Sequence, residues 1–398
     1  MMTLFLIVLV DLIGFGLYIP LLPFYAEHFN ASPFVVGLTM ATFSFGQFVS
    51  APLWGYLSDK KGRRPILMIG MAGSVISYVW LGFADSLWMI FAARIVNGLM
   101  AGNIAAAFAY MADVTTRENR AKGMGLVGAA FGLGFIAGPA IGGILAGSDP
   151  ATADFQTPAF AAATMSGIAF LMTIFFLKES HSVEARSRLA NRPRTKRMTQ
   201  LRLSLGHPAM GRLLILVFLS TFVFAGLEST FAMWSRRSFG WGPEQNGYLF
   251  ALVGITSALI QGGIVGRMAK RFGEKSLVLQ GGIALAIGVF LIPFATNLPL
   301  LLLAMLIAGY GFSIITPSLN SLISLQASED DQGSTLGVTR SVSTLARIAG
   351  PAWAGMVFSV LGRDWPYFGG ALVMVIVIVF AWQLRPLVKD SKTDSENL

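Results

Sequence analysis

Apolar residues in this chain gather into long continuous runs, without the alternations or narrow stripes of a water-soluble fold. The first run extends from Thr3 to Phe24. Eleven more follow at residues 34–57, 66–84, 87–112, 122–147, 158–177, 211–234, 245–266, 276–295, 299–325, 335–361 and 367–384. A helix needs about 20 mainly apolar residues to cross a bilayer. The pattern therefore predicts twelve spanning helices and an all-α membrane protein. The first run is too long for the apolar core of a secretory signal and lacks a cleavage-like end, so it is read as a retained span.

Composition agrees. Hydrophobic residues make up 55% of the 398 positions and charged residues only 12%, against about 25% charged in soluble domains. Lipid must cover much of the exterior. The chain has no cysteine and three histidines, which excludes disulfides, thiolate sites and a cysteine nucleophile and argues against a histidine metal cluster. No nucleophile–base arrangement, phosphate-binding loop or metal-ligand spacing stands out, so an enzyme is not expected.

The net charge of +9 fits membrane topology better than nucleic-acid binding. Of the 29 basic residues, 23 fall on connections that share one side with both termini, only Arg236, Arg237 and Arg363 fall on the other side, and Arg94, Arg340 and Arg347 lie within spans. The positive-inside rule then places both termini in the cytoplasm.

The longest polar stretch, 178–210, reads as a basic cytoplasmic linker between bundles at 1–177 and 211–384, with a cytoplasmic tail at 385–398. The halves repeat. IAGPA occurs at Ile136–Ala140 and again at Ile348–Ala352, and GYLSDKKGRR from Gly55 is echoed by GRMAKRFGEK from Gly266. Two anchors at nearly one offset indicate a duplicated six-helix unit, an architecture in which substrate sites lie between the repeats.

Chemistry concentrates in three motifs. In the first, Gly55, Asp59, Gly62, Arg63 and Arg64 form a short basic turn in which Asp59 can pair with Arg63 or face a helix N-terminus. Such a latch would favour one conformation, and Asp113, closing the fourth span, would pair with Arg117 or Arg120. The second copy has Lys270 in place of Asp59, so the latch is asymmetric. This turn resembles the loop 2–3 signature of the major facilitator superfamily. In the second motif, Gly125, Gly134, Gly138, Pro139, Gly142 and Gly143 in the fifth span match the signature of drug/proton antiporters at every fixed position. The glycines permit close helix approach, and the proline permits a bend. In the third, Asp11–Pro23 with Arg94, Asn97 and Gly98 resembles the tetracycline/proton antiporter group. That group carries acidic residues midway along its third and ninth spans; here those places hold Ser77 and Leu285. Binding of magnesium-chelated tetracycline is therefore not expected.

The resemblance implies two pseudo-symmetric six-helix bundles. It also implies alternating access, proton-coupled export of drugs or small amphiphiles without a cofactor, a monomer, and residence in the plasma (bacterial inner) membrane. Intramembrane charges are costly and usually functional. Asp11 lies roughly 12 Å into its span by helical rise and is a candidate proton carrier or a packing carboxylate. Glu228 is a second candidate, for proton binding or cation recognition, or a structural partner of Arg347, a direct pairing that needs long side chains or water by helical rise. Arg94 resembles the fourth-span arginine assigned to proton transfer, or it binds polar groups near Tyr18 and Asn97. Phe15, Phe108, Phe231, Trp234 and Tyr310 are candidate cavity walls. Gln47, Asn103, Gln261 and Asn320 would orient substrate or link helices. Two other readings stand beside export: a carrier for one metabolite, such as a sugar or organic ion, and a non-transporting sensor whose basic linker recruits a partner.

Overall fold

A computed structural model describes residues 1–116, 119–180, 208–326 and 332–384. The 181–207 part of the linker, Arg117 and the tail from Arg385 lie outside the described residues. Among the described residues twelve helices are long and apolar enough to span a membrane. They are Met2–His28, Pro33–Lys61, Arg63–Gly82, Leu87–Asp113, Lys122–Ala146, Gln156–Phe176, Pro208–Phe239, Pro243–Phe272, Glu274–Phe294, Leu298–Gln326, Thr335–Leu361 and Trp365–Trp382. They are numbered below as spans 1 to 12, and each coincides with one of the twelve apolar runs. The chain is an integral multi-pass membrane protein.

Local chemistry sets the ends and breaks of the helices. Pro33 opens span 2, and the Ser32 hydroxyl accepts from Val35 N at 3.4 Å, the usual pairing of a capping hydroxyl with an N-terminal proline. Spans 2 and 3 join through Gly62 alone, at φ 106°, a conformation that only glycine adopts cheaply. Span 1 stops helical winding after Tyr18 and restarts at Leu22, around Pro20 and Pro23. Span 4 is broken at Ala101–Gly102, and its second segment begins at Asn103. Span 8 carries a π-helical turn at Ile260–Ile264.

The chain divides into two compact units. The first comprises Met1–Pro193 together with Ala232–Ile255, which form the later part of span 7 and the start of span 8. Its core joins spans 1, 3, 4, 5 and 6 through residues such as Leu4, Ile7, Ile66, Met71, Ala130 and Ala169, all buried. The grouping of 232–255 with this unit departs from a division at the linker, and it has visible causes. Arg236 and Arg237 both pair with Glu27 at 3.1 and 2.9 Å. Glu244 N donates to Gly147 O at 3.2 Å, and a Cβ on Gly143 would lie 2.8 Å from Pro243 O.

The second unit comprises Arg194–Phe231 with Thr256–Leu398. Spans 9 and 10 approach closely at Gly281, Gly288 and Gly311, where an added Cβ would strike backbone of the facing helix. The repeat visible in the sequence is also a repeat of crossings. In the first unit Gly16 of span 1 meets Gly138 of span 5, and in the second Gly226 of span 7 meets Gly350 of span 11. Gly273 occupies the Gly62 position at φ 79°, and the next residue is Glu274 where the first copy has Arg63.

Candidate functional site

The break in span 4 turns Asn103 toward span 1. Its Nδ2 donates to Asp11 Oδ2 at 2.6 Å, and Ser166 Oγ of span 6 donates to Asp11 Oδ1 at 2.9 Å. Asp11 is 8% exposed. Three helices thus converge on one intramembrane carboxyl, and both of its oxygens are engaged. Asp11 also borders a cavity of about 20 Å³, with Phe15, Phe43, Ser74, Tyr78 and Asn97 among the other walls. That volume admits about one water-sized group. Ser166 had not been singled out by motif or depth; a hydroxyl in an apolar span is too common to signal a partner 155 residues away.

Arg94 is buried, with its guanidinium 4.8 Å from the centre of the Phe43 ring. Its Nε has no hydrogen-bond partner, and Asn97 shares the cavity wall with Tyr78. Among the described residues no carboxylate oxygen lies within 4.0 Å of the Arg94 nitrogens. Tyr18 instead donates to Phe155 O at 3.3 Å.

The basic turn is built around Arg63. Its guanidinium donates to Ser58 Oγ at 3.0 Å, Asp59 Oδ1 at 2.7 Å and Asp113 Oδ2 at 3.0 Å. Among the described residues Asp113 thus pairs with Arg63, and Ser180 Oγ also donates to it at 3.2 Å. Arg120 reaches the Ala112 carbonyl at 3.5 Å, and Arg117 lies outside the described residues. Glu179, which carries no motif, completes the cluster: its two carboxylate oxygens accept from Arg63 N and Arg64 N at 2.9 and 3.2 Å. An acceptor at a helix start satisfies donors that have no partner within the helix. Arg64 reaches Ile174 O at 2.6 Å, binding the end of span 6. Gly55 has nothing within 4 Å of an added Cβ.

The fifth-span glycines differ by face. Gly134 lies on Leu12, Gly138 on Gly16, Gly142 on Leu17 and Gly143 on Gly247, whereas Gly125 is open. Pro139 sits inside the helix, as Pro351 does in span 11.

In the second unit Arg347 Nη1 pairs with Glu228 Oε2 at 3.4 Å. Helical rise leaves a gap that long side chains or water could bridge; the arginine side chain spans it. Of the aromatic candidates, Phe15 borders the Asp11 cavity and lies 5.1 Å from Phe43. Phe108 stacks on Phe131 at 6.2 Å. Phe231 and Trp234 are fully buried, and Tyr310 packs beside Ile260, Leu277 and Ile314. Gln47 is half-buried, and Gln261 and Asn320 are exposed on their helices. Ser77 is buried, donating to Gly73 O at 2.7 Å, and Leu285 is fully buried, so neither place offers an acidic ligand.

Twelve spans among the described residues, an internal repeat and buried intramembrane charge are the features of a membrane transporter. The chain belongs to the Major Facilitator Superfamily, whose model matches residues 4–351 and, separately, 213–397. It is 32% identical over 365 residues to the class C tetracycline resistance protein of Escherichia coli, covering 90% of this chain and 89% of that one. It is 29% identical over 402 residues to multidrug resistance protein 2 of Bacillus subtilis (strain 168), covering 100% and 98%. Among solved structures it is similar to the human organic anion transporter MFSD10 (TETRAN), with a TM-score of 0.71, 27% identity, and coverage of 96% and 98%. The D-xylose–proton symporter shares the fold at a TM-score of 0.79 and 19% identity, covering 96% and 97%.

Proposed function

We propose that the protein is a proton-coupled antiporter that exports drugs or other small amphiphilic molecules by alternating access. The observation that carries this reading is Asp11, a buried carboxyl shared by spans 1, 4 and 6 and bordering a cavity. A proton added there changes which hydrogen bonds the three helices can share, and so biases one conformation over another. Substrate biases the opposite one. The tetracycline and multidrug resistance relatives support export as the direction.

The remaining assignments follow from this reading. Glu228, held by Arg347, is the second acidic site. The Asp59–Arg63–Asp113 cluster latches one state, and the glycine face of span 5 is the bearing along which span 1 moves. The bundles are 1–177 and 211–384, joined by the basic linker 178–210. The protein works as a monomer in a bacterial inner membrane with both termini in the cytoplasm.

Acidified inverted vesicles test the proposal. Adding drugs from a chemically varied panel should release protons, and Asp11→Asn or Glu228→Gln should remove that release. Solute flux from folded protein with no proton signal for any compound would defeat it and favour a carrier without proton coupling.

A further inference from the structure

Span 1 ends in aromatic residues, with Phe24, Tyr25, His28 and Phe29 close together in the chain. Tyr25, His28 and Phe29 form one wall of an open pocket of about 370 Å³ in the first unit. Phe83, just after span 3, and Asp154 and Phe155, just before span 6, form the others. The pocket lies at the opposite ends of these spans from the Arg63 turn, and it shares no wall residue with the Asp11 cavity. Its volume is in the range of small-molecule sites, about 300–1,000 Å³. The walls are tied to one another. The Tyr25 hydroxyl donates to Ala84 O at 2.7 Å, Tyr18 donates to Phe155 O at 3.3 Å, and Asp154 N donates to Ala146 O at 2.9 Å. A ligand therefore meets a formed site and pays little to order it.

The walls select one sign of charge. Tyr25 and Phe155 stack at 4.7 Å, Phe29 packs 5.5 Å from Tyr25, and His28 packs 5.9 Å from Phe155. Phe29 is only half-buried and Phe83 is 62% exposed, so aromatic surface stays free for a ligand. The faces of such rings attract cations. Asp154 adds a full negative charge. Its partners are the Thr157 hydroxyl and the Gln156 and Thr157 amides, all neutral. Burial pushes its carboxyl up, but these bonds outweigh that and hold it below the usual carboxylate range, so it stays ionised. Asp85 follows the wall residue Ala84 and accepts from the neutral Ser86 hydroxyl. Among the described residues no lysine or arginine lines the pocket. Glu27, beside His28, is held by Arg236 and Arg237 and is not part of the wall. An anion would be repelled here, and a neutral ligand would forgo both attractions.

We propose that this pocket is a binding site for organic cations with a flat apolar body, such as quaternary aromatic amines, held between the aromatic wall and Asp154. The inference goes beyond the transport reading and needs neither proton coupling nor a direction. With both termini in the cytoplasm, as that reading has it, the pocket opens on the outer face, and its occupancy follows the external concentration of the cation.

The absence of cysteine from the chain gives a local test. Phe83→Cys places a sole thiol on the pocket wall, and Ala151→Cys, exposed and off that wall, is the control. Purified full-length protein in nanodiscs is alkylated with N-ethylmaleimide in the presence of N-methylquinolinium or its neutral isostere 1-methylnaphthalene. The cation should protect Phe83→Cys at about tenfold lower concentration than the isostere, the scale expected of ring contacts plus one exposed carboxylate. Ala151→Cys should not be protected. Adding Asp154→Asn, whose amide oxygen can still accept from the Gln156 and Thr157 amides, should shrink the cation preference about threefold. Phe29→Leu should shrink it similarly, and serves if Asp154→Asn does not fold, as judged by thermal unfolding. Equal protection by the two probes, equal protection of the two thiols, or a preference unchanged in both Asp154→Asn and Phe29→Leu overturns the site. Protection is read without a proton gradient, so failure of the site leaves antiport standing, and failure of antiport leaves the site standing.

Discussion

Placing a methyl group on Gly138 tests whether the fifth-span signature acts through contact. Its Cβ would lie 2.6 Å from Gly16 Cα and 2.8 Å from Leu17 N. Ordinary carbon contacts are about 3.5–4.0 Å, so spans 1 and 5 would have to separate by roughly 1 Å. The obstacles are backbone atoms, which cannot rotate aside. Overpacking of this kind costs about 1–3 kcal/mol. Span 1 also carries Asp11 less than two turns away, so the displacement would loosen its bonds to Asn103 and Ser166. Gly125→Ala is the internal control, because nothing lies within 4 Å of its added Cβ. Thermal unfolding in detergent and substrate-driven proton exchange should both be impaired in Gly138→Ala and near wild type in Gly125→Ala. Equal behaviour of the two variants would refute the claim that the motif works by helix contact at this crossing.

Three further outcomes follow from the geometry. Arg63→Lys keeps the charge but loses the fork that reaches Ser58, Asp59 and Asp113; turnover should fall about tenfold with substrate affinity retained, read as a kcat loss without a KM change. Glu27→Gln should weaken the ties to Arg236 and Arg237; since both arginines are 39% exposed, the loss should be about 1 kcal/mol or less and vanish at high salt, as unfolding at two ionic strengths would show. Asp154 lies between spans 5 and 6. Burial pushes its carboxyl up, but hydrogen bonds from the Thr157 hydroxyl and the Thr157 and Gln156 amides outweigh this and hold it below the usual carboxylate range. Its contribution is therefore present above the unfolded value of about 3.9 and fades as pH falls through the lowered one. Asp154→Ala should cost about 1 kcal/mol at neutral pH, and its unfolding curve should converge with wild type in strong acid.

The sequence and the structure agree where the physics is local or repeated. A bilayer demands unbroken apolar length, so Thr3–Phe24 and its eleven counterparts could be read directly. The IAGPA repeat marks crossings that recur as Gly16–Gly138 and Gly226–Gly350. Partnerships across long separations were less legible. Asp11 was conspicuous as a charge in an apolar run, but its partner Ser166 was not, because a serine hydroxyl can also bond within its own helix. Glu179 looked like the start of the linker, and its role at the head of span 3 depends on how span 6 ends beside span 3. Glu228 and Arg347 could be named as partners, but helical rise locates only the backbone, so whether side chains or water closed the gap was not legible. The break at Ala101–Gly102, which aims Asn103 at Asp11, has no proline to announce it.

The central claim is that Asp11 carries the proton that drives transport. Asp11→Asn suits the test, because the amide oxygen can still accept from Asn103 and its NH2 can donate to Ser166, preserving the fold. Purified protein in liposomes would be loaded with labelled substrate and assayed twice, for exchange against unlabelled substrate without a pH gradient and for uphill movement with one. The account predicts that Asp11→Asn keeps exchange and loses gradient-driven accumulation. Accumulation at the wild-type level in Asp11→Asn would contradict it.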